Sequence, residues 1–464
     1  MSSFFGFTIG VRALGTSQKA LEVIGHNIAN INTRGHSRQE AVLATSRPEG
    51  MPGISSSTSA GQLGSGVKIS EIRRLHDGYI ENQLISEMQN AGKWDRGLQI
   101  FEQIETVFAE PSENGLRAMM DVYWNSWRDL EASPEDLSAR KNLIENSESM
   151  CNLFKSIHSR LQLLQSDIDT EIVTQTVAIN NYARQITELN KLIKQVAIAG
   201  DNPNDLMDRR DVIIKDLSHM INIDIRQSDF DQVNIFIGGT ALVREEGFYQ
   251  LEPVLNPASG FHDIKWEGSG RDAGITSGQL YSMINFRDDY LPEVIDRLDQ
   301  MASALITETN AIHSSGYGLD GISTGYNFFS GTGIEDMGIE DQIADDTVLI
   351  AAASNPGQPG DNSNVLQIAG IRDSLILDGG TSTVDDYYNS LIVKIGIEAQ
   401  QCLREQENTG LLINKINMRR ESISGVSLDE ELVNMVKYQH SYNAAARVIK
   451  VMDELFETVI NELG

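Results

Sequence analysis

The sequence predicts a mainly α-helical protein with β-rich insertions, that is, an α+β chain of several domains. Hydrophobic residues repeat every seven positions at both ends of the chain, and residues 135–199 contain neither glycine nor proline. Two further stretches alternate polar and apolar residues as strands do. We therefore expect paired coiled-coil helices at the termini, a rod-like middle domain of long helices and a strand-rich outer domain.

The N-terminal segment predicts an amphipathic helix from about Gly10 to Ile31. Its hydrophobic residues have heptad spacing. The chain then meets an asparagine-rich stretch and Gly35, where a helix should end. We predict that the apolar face of this helix is an assembly interface, formed by Leu14, Leu21, Ile24, Ile28 and Ile31.

The C-terminal segment predicts a second amphipathic helix, from about Leu428 to Leu463. Ser427 precedes it and Glu430 follows three residues later, as in a capping box. Its apolar face consists of two rows with spacing of seven, and we predict that it is also an assembly interface. The residues of this face are Met435, Tyr438, Tyr442, Ala445, Ile449, Met452, Phe456 and Val459.

The two ends of the chain carry opposite charge balances. Residues 1–39 contain four basic residues and one acidic residue, whereas residues 425–464 contain three basic and seven acidic residues. We therefore expect the two terminal helices to pair, either with each other or with those of neighbouring subunits. The alternative is two ordinary helices packed on one globular core.

Composition predicts several domains, two of which combine segments that are far apart in the sequence. We expect residues 50–66, which are rich in glycine and serine and uncharged, to be a flexible connection. The remaining segments are an inner domain (1–49 with 425–464), a helical rod-like middle domain (67–205 with 280–315 and 381–424), a β-rich insertion (206–279) and an acidic β/loop outer insertion (316–380).

Residues 135–199 are the strongest indication of long helices. Isoleucines recur at 179, 186 and 193. One helix over this range would span about 97 Å. Because ordinary domains do not hold such helices, we expect a rod-like bundle or two long antiparallel helices. Another helix is expected from about Val384 to Gln406, and its continuation past Gly410 is left open.

The composition excludes several classes of function. The formal net charge is −29, with 37 basic and 66 acidic residues, and such a chain would repel nucleic acid and anionic membranes. No window of 18 apolar residues occurs, so we expect no membrane insertion. The N-terminus lacks the features of a Sec signal. Cys151 and Cys402 have no metal-like spacing and are expected in the core, and we expect neither metal nor cofactor.

No catalytic constellation emerges from the sequence. The eight histidines include no H-E-x-x-H motif of a zinc protease. Ser323 lies between Gly321 and Gly325 in a G-x-S-x-G match, but a glycine-rich loop precedes it where a nucleophile elbow needs a strand. We therefore expect a structural turn at Ser323 and a protein that is not an enzyme.

Motifs at both ends resemble those of flagellar rod, hook and hook-associated proteins. Residues 424–431, Tyr438-Gln439 and 444–449 are similar to the C-terminus of that family. The N-terminal run ALEVIGHNIANINTRGHSRQ is similar to its opening motif, although Arg34 and His36 stand where the family usually has proline and tyrosine. The motif residues are Asn27, Ile28, Ala29, Asn30, Asn32, Thr33, Gly35, Ser37, Arg38 and Gln39.

Three features favour the hook-associated protein 1 branch of that family. Ser37-Arg38-Gln39 follows the N-terminal turn, where rod and hook proteins usually continue with lysine. The run NDLMDRRD at residues 204–211 is similar to a signature of this branch. Residues 287–313, followed by GYGLDG at residues 316–321, resemble the end of its helical domain.

The resemblance implies a structural subunit of the bacterial flagellum that forms the junction between hook and filament and is required for filament assembly. It implies export by the flagellar type III system to the extracellular flagellum. The implied partners are other copies of the chain, the hook protein, the next hook-associated protein on the filament side and a dedicated export chaperone, which we expect on the C-terminal helix. The alternatives are another axial protein, such as a distal rod or hook subunit, and a secreted hydrolase on a flagellar scaffold.

Overall fold

The computed structural model describes residues 3–47, 64–110, 112 and 115–463. It is mainly α-helical with small antiparallel sheets, which confirms the predicted fold class. The helices are α1 (Ser3–Ala29), α2 (Gly78–Phe108), α3 (Leu116–Ala132), α4 (Leu137–Ile198), α5 (Asn204–Met220), α6 (Gly278–Asn285), α7 (Leu291–His313), α8 (Asp341–Asp345), α9 (Ser363–Ala369), α10 (Val384–Ser424) and α11 (Leu428–Leu463). A π-helical turn, Phe286–Tyr290, joins α6 to α7.

The strands form four small antiparallel sheets within the described residues. Their bounds are β1 (Gln39–Thr45), β2 (Val67–Arg74), β3 (Asp224–Gln227), β4 (Val233–Ile237), β5 (Thr240–Arg244), β6 (Gly247–Phe248), β7 (Leu251–Leu255), β8 (His262–Trp266), β9 (Phe329–Ser330) and β10 (Gly338–Ile339). β3 to β6 pair in sequence order, and each of the other sheets is a pair of strands.

Helices α1 and α11 pack against each other, and we call them the terminal pair. Near the start of α1, Gly6 lies beside Met452, whereas near its end Asn27 donates a hydrogen bond to Glu431. The two helices therefore run antiparallel, and the start of α1 and the end of α11 lie at the same end of the pair.

Helix α1 begins earlier than the sequence predicted, at Ser3 rather than at about Gly10. Glycine within a helix costs about 1 kcal/mol relative to alanine. Here the absence of a side chain allows close packing: a Cβ at Gly6 would lie 2.5 Å from Met452 Cε, and one at Gly10 would lie 2.9 Å from Ile449 Cγ1. Contact with α11 offsets the intrinsic cost of the glycines, which the sequence of α1 alone does not reveal.

Strands β1 and β2 form an antiparallel ribbon that follows α1. Residues 67–74, which the sequence places at the start of the helical middle domain, form a strand that pairs with residues 39–45. Half-buried and exposed residues alternate in VKISEIRR except at Ser70-Glu71, where the register of the pairing shifts by one residue. The expected flexible connection, 50–66, lies largely outside the described residues.

Helix α4 is one continuous helix of 62 residues, so the alternative of two antiparallel helices is wrong. At about 1.5 Å per residue it is about 93 Å long. Buried side chains occur along its whole length, from Leu143 to Ile193, because successive parts of it pack on α3, α7, the β-strands and α5. Helix α10 is likewise continuous, passing through Gly410 to Ser424.

The insertion that we predicted at 316–380 contains less strand than expected. Its strands β9 and β10 have two residues each. The apolar run 348–353 forms a single antiparallel bridge, between Ala353 and Tyr317, in place of a ladder. Helix side chains bond other parts of its backbone: Arg140 donates to the carbonyl of Ile350 at 2.7 Å, and His313 Nε2 accepts from the amide of Ala351 at 3.0 Å. In the other insertion, 206–279, the first residues are helical because they belong to α5.

A continuous hydrophobic core extends from Ile85 to Cys402, and we call residues 78–424 the body. Trp124, Trp127 and Phe328 are among its largest fully buried side chains. Both cysteines are buried and unpaired, and burial raises the pKa of Cys151 to about 12. Among the described residues, no side chain of α1 or α11 belongs to this core.

Candidate assembly interface

The predicted apolar face of α11 contacts α1. Ala445 is buried, and Val459 near the chain end is exposed. The other predicted residues of this face are half-buried: Met435, Tyr438, Tyr442, Ile449, Met452 and Phe456. Their heptad spacing therefore serves a contact within the chain and leaves part of each side chain accessible.

Helix α1 meets α11 with a narrower face than its heptad spacing predicted. Of the predicted residues, Ile24 is buried, Leu14, Leu21 and Ile28 are half-buried, and Ile31 is exposed beyond the end of the helix. The residues that are buried but were not predicted are mostly small or polar: Thr16, Ser17, Ala20, Val23 and Asn27. Part of this burial is against the ribbon, since Thr16 donates to the carbonyl of Val67 and Asn27 donates to that of Gln39.

Helix α11 also carries two exposed apolar patches that the sequence reasoning missed. The first consists of Leu432, Val433 and Val436, and the second of Val448, Val451 and Leu455. At about 100° per residue, the first patch points away from the row that contacts α1, and the second patch lies about 90° around the helix from the first. We call them the flank patches. Their apolar residues at intervals of three and four were visible in the sequence, but they gave a weaker signal than the heptads.

Two motifs that are far apart in sequence meet at the base of the terminal pair. Arg38 Nε donates to Glu431 Oε1 at 2.7 Å, and Asn27 Nδ2 donates to Glu431 Oε2 at 3.3 Å. Arg38 Nη1 also donates to Glu430 at 2.8 Å. The Glu431 carboxylate is only 2% exposed, so these donors replace the water that it loses.

The same N-terminal turn is bound to the start of α5. The amide of Ser37 donates to Asp208 Oδ2 at 2.9 Å, and Gln39 Nε2 donates to Asp205 Oδ1 at 2.8 Å. Arg74 from β2 donates to Asp208 Oδ1 at 3.0 Å. The acidic residues of the NDLMDRRD run therefore accept hydrogen bonds from the opening motif and the ribbon. We call this set of contacts, with those of Glu431, the junction.

Gly35 is required by the turn itself. Its φ is +84°, a conformation that residues with a side chain rarely adopt, and an added Cβ would overlap Val212 Cγ2 of α5. Asn30 caps the preceding helix, since its side chain donates to the carbonyl of His26 at 3.0 Å and accepts from Thr33. The motif residues Ala29 and Asn32 are exposed. The opening motif therefore consists largely of residues that shape and anchor this turn.

The structure places Ser323 in a loop, where its hydroxyl donates to Asp320 Oδ2 and its amide donates to Asp320 Oδ1. Neither a strand before it nor a helix after it is present in this described stretch, so the match to G-x-S-x-G is a local turn. In the described part of the chain, none of the helices has the length and apolar character needed to cross a bilayer.

Three family models match the elements described above. "Flagellar hook-associated protein FlgK helical domain" matches residues 101–329, which lie in the body. "Flagella basal body rod protein" matches residues 7–36, and "Flagellar basal body rod FlgEFG protein C-terminal" matches residues 420–463. The first of these two rod-protein matches covers most of α1 and the turn after it, and the second covers α11.

Full-length relatives and a solved structure agree with these matches. Flagellar hook-associated protein 1 of Bacillus subtilis is 30% identical over 511 residues, covering 100% of this chain and 99% of the relative. The protein of the same name from Salmonella typhimurium is 24% identical, covering 97% and 98%. The structure of the flagellar hook junction protein FlgK from Burkholderia pseudomallei superposes with a TM-score of 0.64 at 14% identity, over 74% of this chain and all of that one. The chain described here belongs to the flagellar hook-associated protein 1 family.

Proposed function

We propose that this chain is a structural subunit at the junction between the hook and the filament of the bacterial flagellum, that filament assembly requires it, and that it is not an enzyme. The observation that supports this most strongly is the terminal pair, which has little core of its own and exposes apolar surface on two sides of α11.

The two flank patches suit assembly into a tube. A subunit in a ring or helical array has two different neighbours, one on each side, and contacts them with different surfaces. The first flank patch would meet one neighbour and the second would meet the other. The proposed partners are further copies of the chain, the hook protein on one side and the next hook-associated protein on the other, in an extracellular location.

Before assembly the same surface needs protection. Exposed contiguous apolar patches promote aggregation unless a partner covers them. A dedicated export chaperone that binds α11 would cover the flank patches until secretion by the flagellar type III system. A chain that ends at Gly425 should then lose the chaperone in a pull-down, and retained binding would place the chaperone site elsewhere.

Deletion of the gene should leave hooks that carry no filament, visible by electron microscopy. Loss of the hooks themselves would instead indicate a distal rod or hook subunit.

For the interface, Leu455→Asp should block filament growth in complemented cells, because an unpaired charge would be buried between subunits at a cost of several kcal/mol.

The matched control is Leu163→Asp on α4. Leu163 is 61% exposed and Leu455 is 55% exposed, so neither substitution buries a charge within the monomer. Leu163→Asp should support normal filaments. Normal filaments with Leu455→Asp would contradict the assignment of this patch to an interface.

A further inference from the structure

Two histidines at the base of the terminal pair lie close together. His26 is near the end of α1 and His36 is in the turn that follows, and their rings meet edge to face with centroids 5.4 Å apart. Asp205, in the first turn of α5, is the third member of the cluster. One potential ligand atom from each of the three residues lies within 4.8 Å of the other two.

The hydrogen bonding of the cluster leaves one ring nitrogen of each histidine without a partner in the described structure. Among the described residues, His26 Nδ1 and His36 Nε2 are buried and have no hydrogen-bond partner. Such atoms are costly to bury unless something binds them. His26 Nε2 lies 3.5 Å from Asp205 Oδ2. Adjacent ligands around a tetrahedral zinc ion are separated by about 3.3 Å, since each lies about 2.0 to 2.2 Å from the metal.

The surroundings orient two of the three side chains. Asp205 Oδ1 accepts from Gln39 Nε2 at 2.8 Å, which leaves Oδ2 directed toward His26. Asp208 Oδ2 lies 3.9 Å from His36 Nδ1, and this carboxylate is itself fixed by the amide of Ser37 and by Arg74. A carboxylate behind one ring nitrogen is the usual arrangement when the other ring nitrogen binds a metal. His36 Nε2 is therefore the nitrogen left for a ligand.

We propose that His26, His36 and Asp205 bind a divalent transition-metal ion of the zinc class. Two imidazoles and one carboxylate suit Zn²⁺, and water would complete four-coordination. The cluster lines a cleft of about 540 Å³ that also contains Glu188, so an ion has access to it. The ion would fasten the end of α1 and its turn to the start of α5, and it would thereby hold the terminal pair at a fixed angle to the body.

The test uses the full-length chain, freed of metal by chelation and dialysis and titrated with ZnCl₂ by calorimetry. We expect one ion per chain. Binding should weaken at least about tenfold in His26→Gln, in His36→Gln and in Asp205→Asn, because each removes one of three protein ligands. The control is His440→Gln, which removes an exposed histidine of α11 and should leave affinity unchanged.

Two further measurements keep the result decisive. Co²⁺ in place of Zn²⁺ should show the intense visible absorption of a tetrahedral site, and Zn²⁺ should slow amide exchange at residues 26–39 and 204–208. If His36→Gln unfolds, His36→Tyr keeps an aromatic ring at that position and tests the same ligand. Absence of saturable binding up to millimolar Zn²⁺, or affinity unchanged by the His26 and His36 substitutions, would overturn the proposal.

Discussion

The terminal pair and the body are both built from long helices, yet they differ in how much they bury. Helix α4 in the body buries apolar side chains along its length, with Phe154, Ile172 and Ile186 fully inaccessible. The terminal pair, over its described residues, buries only four apolar residues, each of them 2% to 7% exposed: Ala20, Val23, Ile24 and Ala445. Isolated helices need a packing partner, because propensity alone leaves them marginal.

The comparison shows that helix length and heptad spacing do not indicate whether the same chain supplies enough packing surface to cover a helix. In the body, heptads face a core supplied by the same chain. In the terminal pair, they face one partner helix, and apolar surface remains exposed on two other sides of α11. We infer that the body folds by itself and that the terminal pair reaches full stability only beside its neighbours.

The largest effect should come from the core of the body. Phe154→Ala should lower the free energy of unfolding by about 4 kcal/mol, since it removes a fully buried aromatic ring and leaves a cavity. Urea unfolding followed by circular dichroism measures it. A loss below about 1 kcal/mol would mean that the core of the body is not the main source of stability.

A smaller effect is expected at the junction. Arg38→Met should destabilise the terminal pair by about 3 kcal/mol, because it leaves the buried carboxylate of Glu431 without its cation. Amide exchange should accelerate in α1 and α11 while the body stays protected. The control is Arg73→Met, whose ion pair with Glu40 is exposed and should contribute no more than about 1 kcal/mol. Equal effects of the two substitutions would show that the buried ion pair of the junction stabilises the terminal pair no more than an exposed ion pair does.

Acidification should weaken the body through His313. Its ring is buried, donates from Nδ1 to the carbonyl of Tyr326 at 2.8 Å and accepts at Nε2, and burial lowers its pKa to about 4. The folded ring stays neutral while the unfolded ring takes up a proton near pH 6.5. Stability is therefore complete above pH 6.5 and should fall by about 2 kcal/mol by pH 5.

Urea unfolding at several pH values between 6.5 and 5 measures this slope, in a range where carboxylates remain ionised. The slope should flatten in His313→Gln and should persist in His440→Gln. An unchanged slope in His313→Gln would assign the pH dependence to another group.

The smallest effect on the monomer is expected at the flank patches. Leu455→Ala should change the free energy of unfolding by less than about 0.5 kcal/mol, as is usual for an exposed position. The same substitution should nevertheless slow filament growth, because the side chain is buried only in the assembly. A loss comparable to that of Phe154→Ala would mean that Leu455 packs within the monomer.

The elements that could be predicted from the sequence are those whose signal is local. Helix α11 begins and ends where its heptads and capping box predicted. The β1–β2 ribbon was missed although part of its alternation was present, because residues 50–66, between its two strands, were interpreted as a flexible connection that separates domains. The length of α1 was underestimated because Gly6 and Gly10 are compatible with a helix only beside α11.

The junction could not be predicted because its contacts depend on the fold. Three motifs were recognised separately, around Asn27, Asp205 and Glu431, and nothing in their spacing shows that they meet. The histidine cluster was missed for a related reason: His26 and His36 are ten residues apart, and only the turn at Gly35 brings their rings together. A search for helical H-x-x-x-H spacing does not detect such a pair.

The pairing of α1 with α11 also has a consequence for the order of folding. Asn27 and Glu431 are 404 residues apart in the chain. At a synthesis rate of about 5 to 20 residues per second, α1 leaves the ribosome about 20 to 80 seconds before its partner exists. Contacts of such sequence separation form late, because the intervening chain must first be ordered. Helix α1 is thus the first element to be made and among the last to be paired, and a substitution that slows folding of the body lengthens the interval in which its apolar face is unprotected.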